Sequence, residues 1–264
     1  MIITHNGTIL TNDGVVLNNI ITSPSFTNTY SLEFDGMDDY VNIGNGVSFE
    51  YTDSFSYSFW VNPNAVSGAK YIYTKYDPFF GRGVLMYISS NNGAGNNTLN
   101  FLLLSTNGGS TATRKRIVTN AGAIISPSVW TNIVITYDGS GLGAGINVYK
   151  NGVSQAVTVT QDNLQNQTIA HTEDSYLSSY NGISSFFPGN QDEFAIFNTE
   201  LTIGDALSIY GIGQPTDITN LSPVAWYRMG DGITSFPTIP DVIGTNDGTA
   251  YNENEATMVV PDVP

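Results

Sequence analysis

The sequence contains no cysteine. Disulfide staples, thiolate metal sites and a cysteine nucleophile are therefore excluded. Charge is sparse and one-sided. Only 12% of residues are charged, and 8 Lys and Arg stand against 23 Asp and Glu, a formal net charge of −15. A field of that sign repels phosphate backbones, so no nucleic-acid partner is expected. The one basic cluster, Arg114-Lys115-Arg116, is too short to reverse this and reads as a solvated strand end or loop. No apolar run approaches the length of a bilayer span, so no membrane partner is expected either. The start, Met1-Ile2-Ile3-Thr4-His5-Asn6-Gly7, lacks a basic stretch and an apolar core. That predicts no secretory signal and a product kept in the cytoplasm unless it is built into a particle. Histidine is scarce too. His5 and His171 are isolated, and no nucleophile elbow, Walker A or zinc spacing accompanies them. His171 reads as a loop residue, and no catalytic residue is assigned.

What is present is turn chemistry and two-residue alternation. Six Asn-Gly pairs begin at Asn6, Asn45, Asn92, Asn107, Asn151 and Asn181, and five Asp-Gly pairs at Asp13, Asp35, Asp138, Asp231 and Asp247. Both dipeptides favour the positive φ of tight hairpins. In 54–61, Phe55, Tyr57, Phe59 and Val61 share one face of a strand and Ser56 and Ser58 the other. Trp130 to Tyr137 predicts a second strand, followed by Ile146–Lys150, the Asn151-Gly152 turn and Val153–Thr160. Further strands are predicted at 31–35, 39–43, 70–75, 83–89, 98–104, 115–119, 192–198 and 224–229. One helix is predicted. Thr202 and Asp205 have capping-box spacing, Ile203, Ala206, Leu207 and Tyr210 follow at helical period, and Gly211 closes it. It should cover an end of a sandwich. From Gln214 onward, prolines at 215, 223, 237, 240, 261 and 264 predict an extended arm rather than a second core. The fold class is all-β: an antiparallel two-sheet jelly-roll sandwich with one short helix and extended terminal arms.

Four segments then carry a resemblance. Ser31 to Val41, Phe55 to Pro63, the hairpin from Trp130 through Asn151-Gly152, and Gly189 to Leu201 resemble, in order, strands of laminin-G-like, concanavalin A-like lectin/glucanase jelly rolls. The resemblance implies an N-terminal arm at 1–29, the jelly roll at 30–212, and a C-terminal arm at 213–264. Leu221 to Gly232 looks like the family's opening strand placed last, as in a circular permutation. With the closing Val-Pro-Asp-Val-Pro, the chain resembles laminin-G-like virion proteins of marine bacteriophages. The resemblance implies a virion surface component, a head decoration or fibre or a tail-appendage module. Its partners would be other virion proteins and itself in a homo-oligomer such as a trimer, with the arms binding neighbours by strand addition. The alternative is a free carbohydrate-binding, lectin-like module for cell-surface glycan. A glycoside hydrolase ranks last.

Relatives of this fold that cleave glycans alternate carboxylates along one strand. The nearest match is Glu33-Phe34-Asp35-Gly36-Met37-Asp38, where Asp35-Gly36 predicts a turn that takes the third acid off the strand. No cofactor is certain. A structural calcium ion is the metal candidate, with Asp35, Asp38, Asp39 and Asp192 as its acids, because calcium takes clustered loop oxygens. The same acids also suit turn capping. For a ligand or an interface, the candidates are Tyr76, Phe79, Phe80 and Arg82 in one loop and Tyr176, Tyr180, Phe186 and Phe187 in another. Interface use ranks ahead of a sugar site.

Overall fold

The computed structural model describes residues 26–64, 67–90, 97–105, 124–164, 168–252 and 254–264, together with the strand backbones of 3–5, 8–10 and 114–119. Ile3–His5 and Thr8–Leu10 pair as a small antiparallel hairpin. Among the described residues the body is two antiparallel sheets of eight and nine strands, stacked as a sandwich.

At the centre of the first sheet, Phe55–Pro63 lies between Thr131–Tyr137 and Pro188–Phe197. Ile146–Lys150 and Val153–Gln155 extend it on one side, Ser31–Asp35 and Val259–Val260 on the other. In the second sheet, Ala69–Asp77, Arg82–Ser90, Asn97–Leu104, Arg114–Thr119 and Val157–Asp162 are neighbours in that order. Ser175–Leu177, Tyr40–Asn42, Gly248–Tyr251 and Thr238–Ile239 continue it from the other flank of Ala69–Asp77. The segment predicted as one strand at 153–160 is two strands, each in a different sheet, because the chain crosses between the sheets at Ala156.

Alternation fills the space between the sheets. Phe55, Tyr57, Phe59 and Val61 point inward, as predicted, and meet Phe34, Tyr73, Phe101, Phe194 and Tyr227. The opposite face of the same strand is buried as well, which the serines did not suggest. Ser56 Oγ donates to Thr199 O at 2.8 Å and accepts from Leu201 N at 3.0 Å. Trp60 stacks on Tyr210 with ring centroids 5.7 Å apart. Tyr210 ends the predicted helix, Ile203–Tyr210, whose capping box between Thr202 and Asp205 is formed and whose C-cap is Gly211 at φ 53°. The helix covers the outer face of the eight-stranded sheet rather than an end of the sandwich. Its Ala206 and Ile209 pack on Val134, Tyr149, Ala195 and Phe197, which that face presents.

The C-terminal segment contributes strands to both sheets of its own chain. Ala225–Tyr227 pairs with Pro188–Phe197, Gly248–Tyr251 with Tyr40–Asn42, and Val259–Val260 with Ser31–Asp35. The arm expected to add strands to a neighbouring subunit is instead built into the molecule. Its Trp226, Tyr227, Met229, Ile239 and Met258 are all buried. Deleting one large buried side chain costs about 3–5 kcal/mol, and a whole domain is stable by only about 5–15 kcal/mol. A chain ending at Gly213 is therefore expected to show no cooperative thermal transition by circular dichroism. A sharp melt close to that of the full chain would contradict this account of the arm.

Candidate functional site

The outer face of the nine-stranded sheet is where chemistry-bearing side chains converge. Val84, Met86, Leu103 and Phe101 face the core, so Leu85, Tyr87, Leu102 and Leu104 face away from it. Tyr71 joins them through a bulge. The register runs Tyr71 to Tyr87 and then Tyr73 to Met86, so Ile72 is the inserted residue and the strand changes phase. Tyr73 stays in the core and Tyr71 turns outward.

Tyr180 arrives from the loop after Ser175–Leu177. Its amide donates to Ser184 O at 2.8 Å, closing a tight turn with Asn181 at φ 52°. Asn181 Nδ2 donates to Tyr76 O at 3.0 Å and Asn181 N to Thr74 Oγ1 at 3.2 Å, which pins the loop over the sheet. The result is an aromatic cluster: Tyr71–Tyr87 at 5.0 Å, Tyr71–Tyr180 at 5.1 Å and Tyr76–Tyr180 at 5.8 Å between ring centroids. These rings surround a concave pocket of about 390 Å³ with a leucine floor and Gln161, Ser184 and Ser185 at its margin.

Of the aromatic candidates, the structure brings Tyr76 and Tyr180 together. Tyr176 and Phe186 join a second group around Tyr40, at 5.9 and 6.3 Å, where Tyr40 also stacks on Tyr251 at 4.8 Å. Phe79, Phe80 and Arg82 form the hairpin after Tyr76. Asp77 Oδ1 accepts from Phe79 N and Phe80 N, Asp77 Oδ2 pairs with Arg82 at 3.3 Å, and Arg82 lies over the Phe80 ring. Phe79 is 83% exposed. Phe187 is a correction: it is fully buried in the core, because it alternates with Phe186 and takes the inward side. Tyr71, Tyr87, Tyr40 and Tyr251 were not singled out from sequence. Tyr71, Tyr87 and Tyr40 lay within predicted strands, and Tyr251 lay outside them, in the C-terminal arm.

Asp35, Asp38 and Asp39 do cluster, with one carboxylate oxygen of each within 4.8 Å of the others. These are hard oxygen donors of the kind calcium takes. They also cap the turn: Asp35 Oδ1 accepts from Met37 N at 2.7 Å, and Asp39 Oδ2 accepts from Asp35 N at 2.9 Å. Glu33 and Asp35 face outward along Ser31–Asp35, and Asp38 lies beyond the strand in the turn.

Asp192 is a second correction, since it is not with the triplet. It is buried further along the adjacent strand of the same sheet, beyond the Gln191–Leu32 pair, where Asn28 Nδ2 donates to it at 2.7 Å. Beside it, Glu193 accepts from Trp226 Nε1 at 2.6 Å and from Arg228 Nε at 3.1 Å. Burial pushes both carboxyls above the usual range, and the charge of Glu193 adds to the shift at Asp192. His171 is also buried. Its Nδ1 accepts from Glu173 N at 3.2 Å, and burial lowers its pKa.

The strand order, the two stacked faces and the helix after the long central strand together define the fold. Residues 35–205 match the laminin-G-type model of the concanavalin A-like lectin/glucanases superfamily. The chain belongs to this family. A similar solved structure is that of a Bacteroides ovatus protein assigned to carbohydrate binding, with a TM-score of 0.59 and 16% identity over 90% of this chain. The alignment covers 63% of that protein. The heptameric SAP-like pentraxin of Limulus polyphemus aligns at a TM-score of 0.48 and 14% identity, over 69% of this chain and 82% of its own. The ligand-binding domain of botulinum neurotoxin serotype D, in complex with N-acetylneuraminic acid, aligns at 0.48 and 16%, over 80% of this chain and 50% of its own. No curated protein sequence matches the chain.

The Glu193 carboxyl makes a pH prediction. Its folded pKa is raised, so the folded state holds a proton that the unfolded state has lost. Its contribution is present below the unfolded value of about 4.3 and is lost as pH rises through the folded value. Melting temperatures of the native chain and Glu193→Gln, measured from about pH 4 to about pH 8, are expected to differ in slope, with the native chain falling more steeply with rising pH. Parallel curves would refute the assignment.

Proposed function

We propose that this chain is a carbohydrate-binding, lectin-like module whose glycan site is the tyrosine pocket on the outer face of the nine-stranded sheet. The observation that carries the reading is Tyr71, Tyr76, Tyr87 and Tyr180 gathered round one open concavity. Sugar rings present C–H faces that pack on aromatic rings, while their hydroxyls take hydrogen bonds from amide and hydroxyl groups such as those of Gln161, Ser184 and Ser185. A volume of about 390 Å³ lies within the usual range for small-ligand sites. The carbohydrate-binding assignment of the Bacteroides ovatus protein supports the reading through the shared fold. None of the relatives named above is a virion protein, and the lectin-like alternative takes first place over virion assembly.

The reading is one of binding, not cleavage. Release of reducing sugar from a bound polysaccharide, abolished by Glu33→Gln, would overturn that part of it. Assembly into a particle surface is the second reading. It is supported by the exposed Phe79 beside Phe80 and Arg82, an interface-like composition. Structural calcium at Asp35, Asp38 and Asp39 is a separate proposal, supported by their spacing. A rise in melting temperature with calcium supports it, and indifference to calcium and to a chelator removes it.

Tyr71→Ala and Tyr87→Ala are expected to weaken binding on a glycan array by about tenfold each, roughly 1.4 kcal/mol per ring, with little change in melting temperature. Phe79→Ala should leave glycan binding intact. Undiminished binding in both tyrosine variants would place the site elsewhere.

A further inference from the structure

The outward face of an antiparallel sheet is commonly polar, yet the floor of the tyrosine pocket is apolar. Leu85 and Leu102 stand directly opposite one another on Arg82–Ser90 and Asn97–Leu104. Leu104 lies two residues beyond Leu102 and so shares its face. The row through it runs Tyr76, Gly83, Leu104, with no side chain at its centre. A Cβ at Gly83 would press on Lys75 O and His171 Nε2, and the backbone there has φ 129°, so the position stays empty. The three leucines form one cluster, and Tyr71, Tyr76, Tyr87 and Tyr180 pack around it. Leu85, Leu102 and Leu104 keep only 6%, 6% and 3% of their surface exposed. That remainder lies at the bottom of the concavity and is enough to meet a small group, not a whole ring.

A sugar ring bearing hydroxyls alone is poorly matched to this floor. Hydroxyls set against leucine lose hydrogen bonds to water that an alkyl group cannot replace. A methyl group carried by the ring reverses the balance, because its contact with leucine removes apolar surface from water on both sides. Two sugar substituents end in a methyl: the acetamido group, and the deoxy carbon that stands in place of a hydroxymethyl. Either reaches down to the leucines while the C–H face of the ring packs on the tyrosines. The remaining hydroxyls then meet Gln161, Ser184 and Ser185 at the margin.

We infer that the tyrosine pocket selects a sugar ring bearing a methyl group, with that methyl seated on Leu85, Leu102 and Leu104. This rests on the glycan-binding reading above and narrows it to a ligand class. The tyrosines supply stacking that any sugar ring can use, and the leucines discriminate among rings by substituent.

The test uses the full chain and matched pairs of sugars that differ only in the methyl-bearing substituent. Chitotriose is paired with cellotriose for the acetamido group, and methyl α-L-fucoside with methyl α-L-galactoside for the deoxy carbon. Affinity is measured by calorimetry, and the bound epitope by saturation-transfer NMR. The methyl-bearing member of at least one pair is expected to bind about tenfold more tightly, the lower end of what one methylene discriminates in an apolar pocket. The pair that shows the preference identifies acetamido or deoxy, and the acetamido or deoxy methyl protons should receive the strongest saturation. Leu102→Asn, which puts an amide of similar size on the floor, should abolish the preference, and Tyr87→Ala should weaken both members alike. Preference and epitope are read on the native chain, so a misfolded variant does not mask them. Equal binding within both pairs, still lost in Tyr87→Ala, overturns the methyl inference and leaves the glycan site standing. Binding unaffected by Tyr87→Ala overturns the site itself. Failure of all four sugars to bind, with glycans lacking any such methyl held on the array through Tyr71 and Tyr87, overturns the inference alone.

Discussion

One backbone irregularity organises the molecule: the bulge at Glu193 in Pro188–Phe197. Opposite Phe55–Pro63, the register passes from Asp192 with Trp60 to Ala195 with Ser58, so two residues stand where the partner strand has one. Gln191 faces inward, where its Nε2 donates to Ser178 Oγ. Unbroken alternation would then have sent Phe194 outward. The inserted residue reverses the phase, and Phe194 enters the core against Tyr73 at 5.3 Å and Phe59 at 6.2 Å. Glu193 adopts φ 51°, a conformation that costs a residue with a side chain about 1–2 kcal/mol. Two hydrogen bonds to its carboxylate, from Trp226 and from Arg228, offset this; bonds of that kind contribute about 1.5–3 kcal/mol each.

Those bonds tie distant parts of the chain together. Arg228 reaches Thr27 O at 2.6 Å and covers the Phe26 ring, and Phe26 stacks on Trp226. Asp231 accepts from Thr29 N at 2.9 Å. The segment entering the sandwich and the segment leaving it are thereby fastened to one strand. The same packing, with Ile203–Tyr210, covers the outer face of the eight-stranded sheet. Among the described residues, the outer face of the nine-stranded sheet keeps the tyrosine pocket open. The asymmetry between the two faces follows from which one the terminal segments and the helix occupy.

What could be read from sequence was what local geometry decides. Phe55 to Val61 alternates, and its core face is correct. Thr202, Asp205 and Gly211 cap a helix because capping needs only near neighbours. Asp35, Asp38 and Asp39 gather because one turn holds them. The site was only half legible. Tyr76 and Tyr180 were named, but in separate loops, and what joins them is the pairing of Ser175–Leu177 with Ala69–Asp77, a contact across about a hundred residues. Tyr71 was hidden by the bulge at Ile72, since strict alternation assigns it to the core. Adjacent residues went to opposite sides at Phe186 and Phe187, and no local signal distinguishes which of two phenylalanines lies inside. Asp192 was grouped with the calcium acids, whereas the register of its strand against Ser31–Asp35 places it beyond the Gln191–Leu32 pair, away from the turn that holds the other three.

The pattern of charge follows from the same geometry. Lys75 is buried, and desolvation lowers its pKa to about 8 against the pull of Asp174 and Glu173. It is held by carbonyls rather than left to solvent. Arg228 likewise donates to Glu193 beneath an aromatic cover. A basic residue in this acidic chain is therefore costly wherever it is buried, and is kept there where it secures a joint.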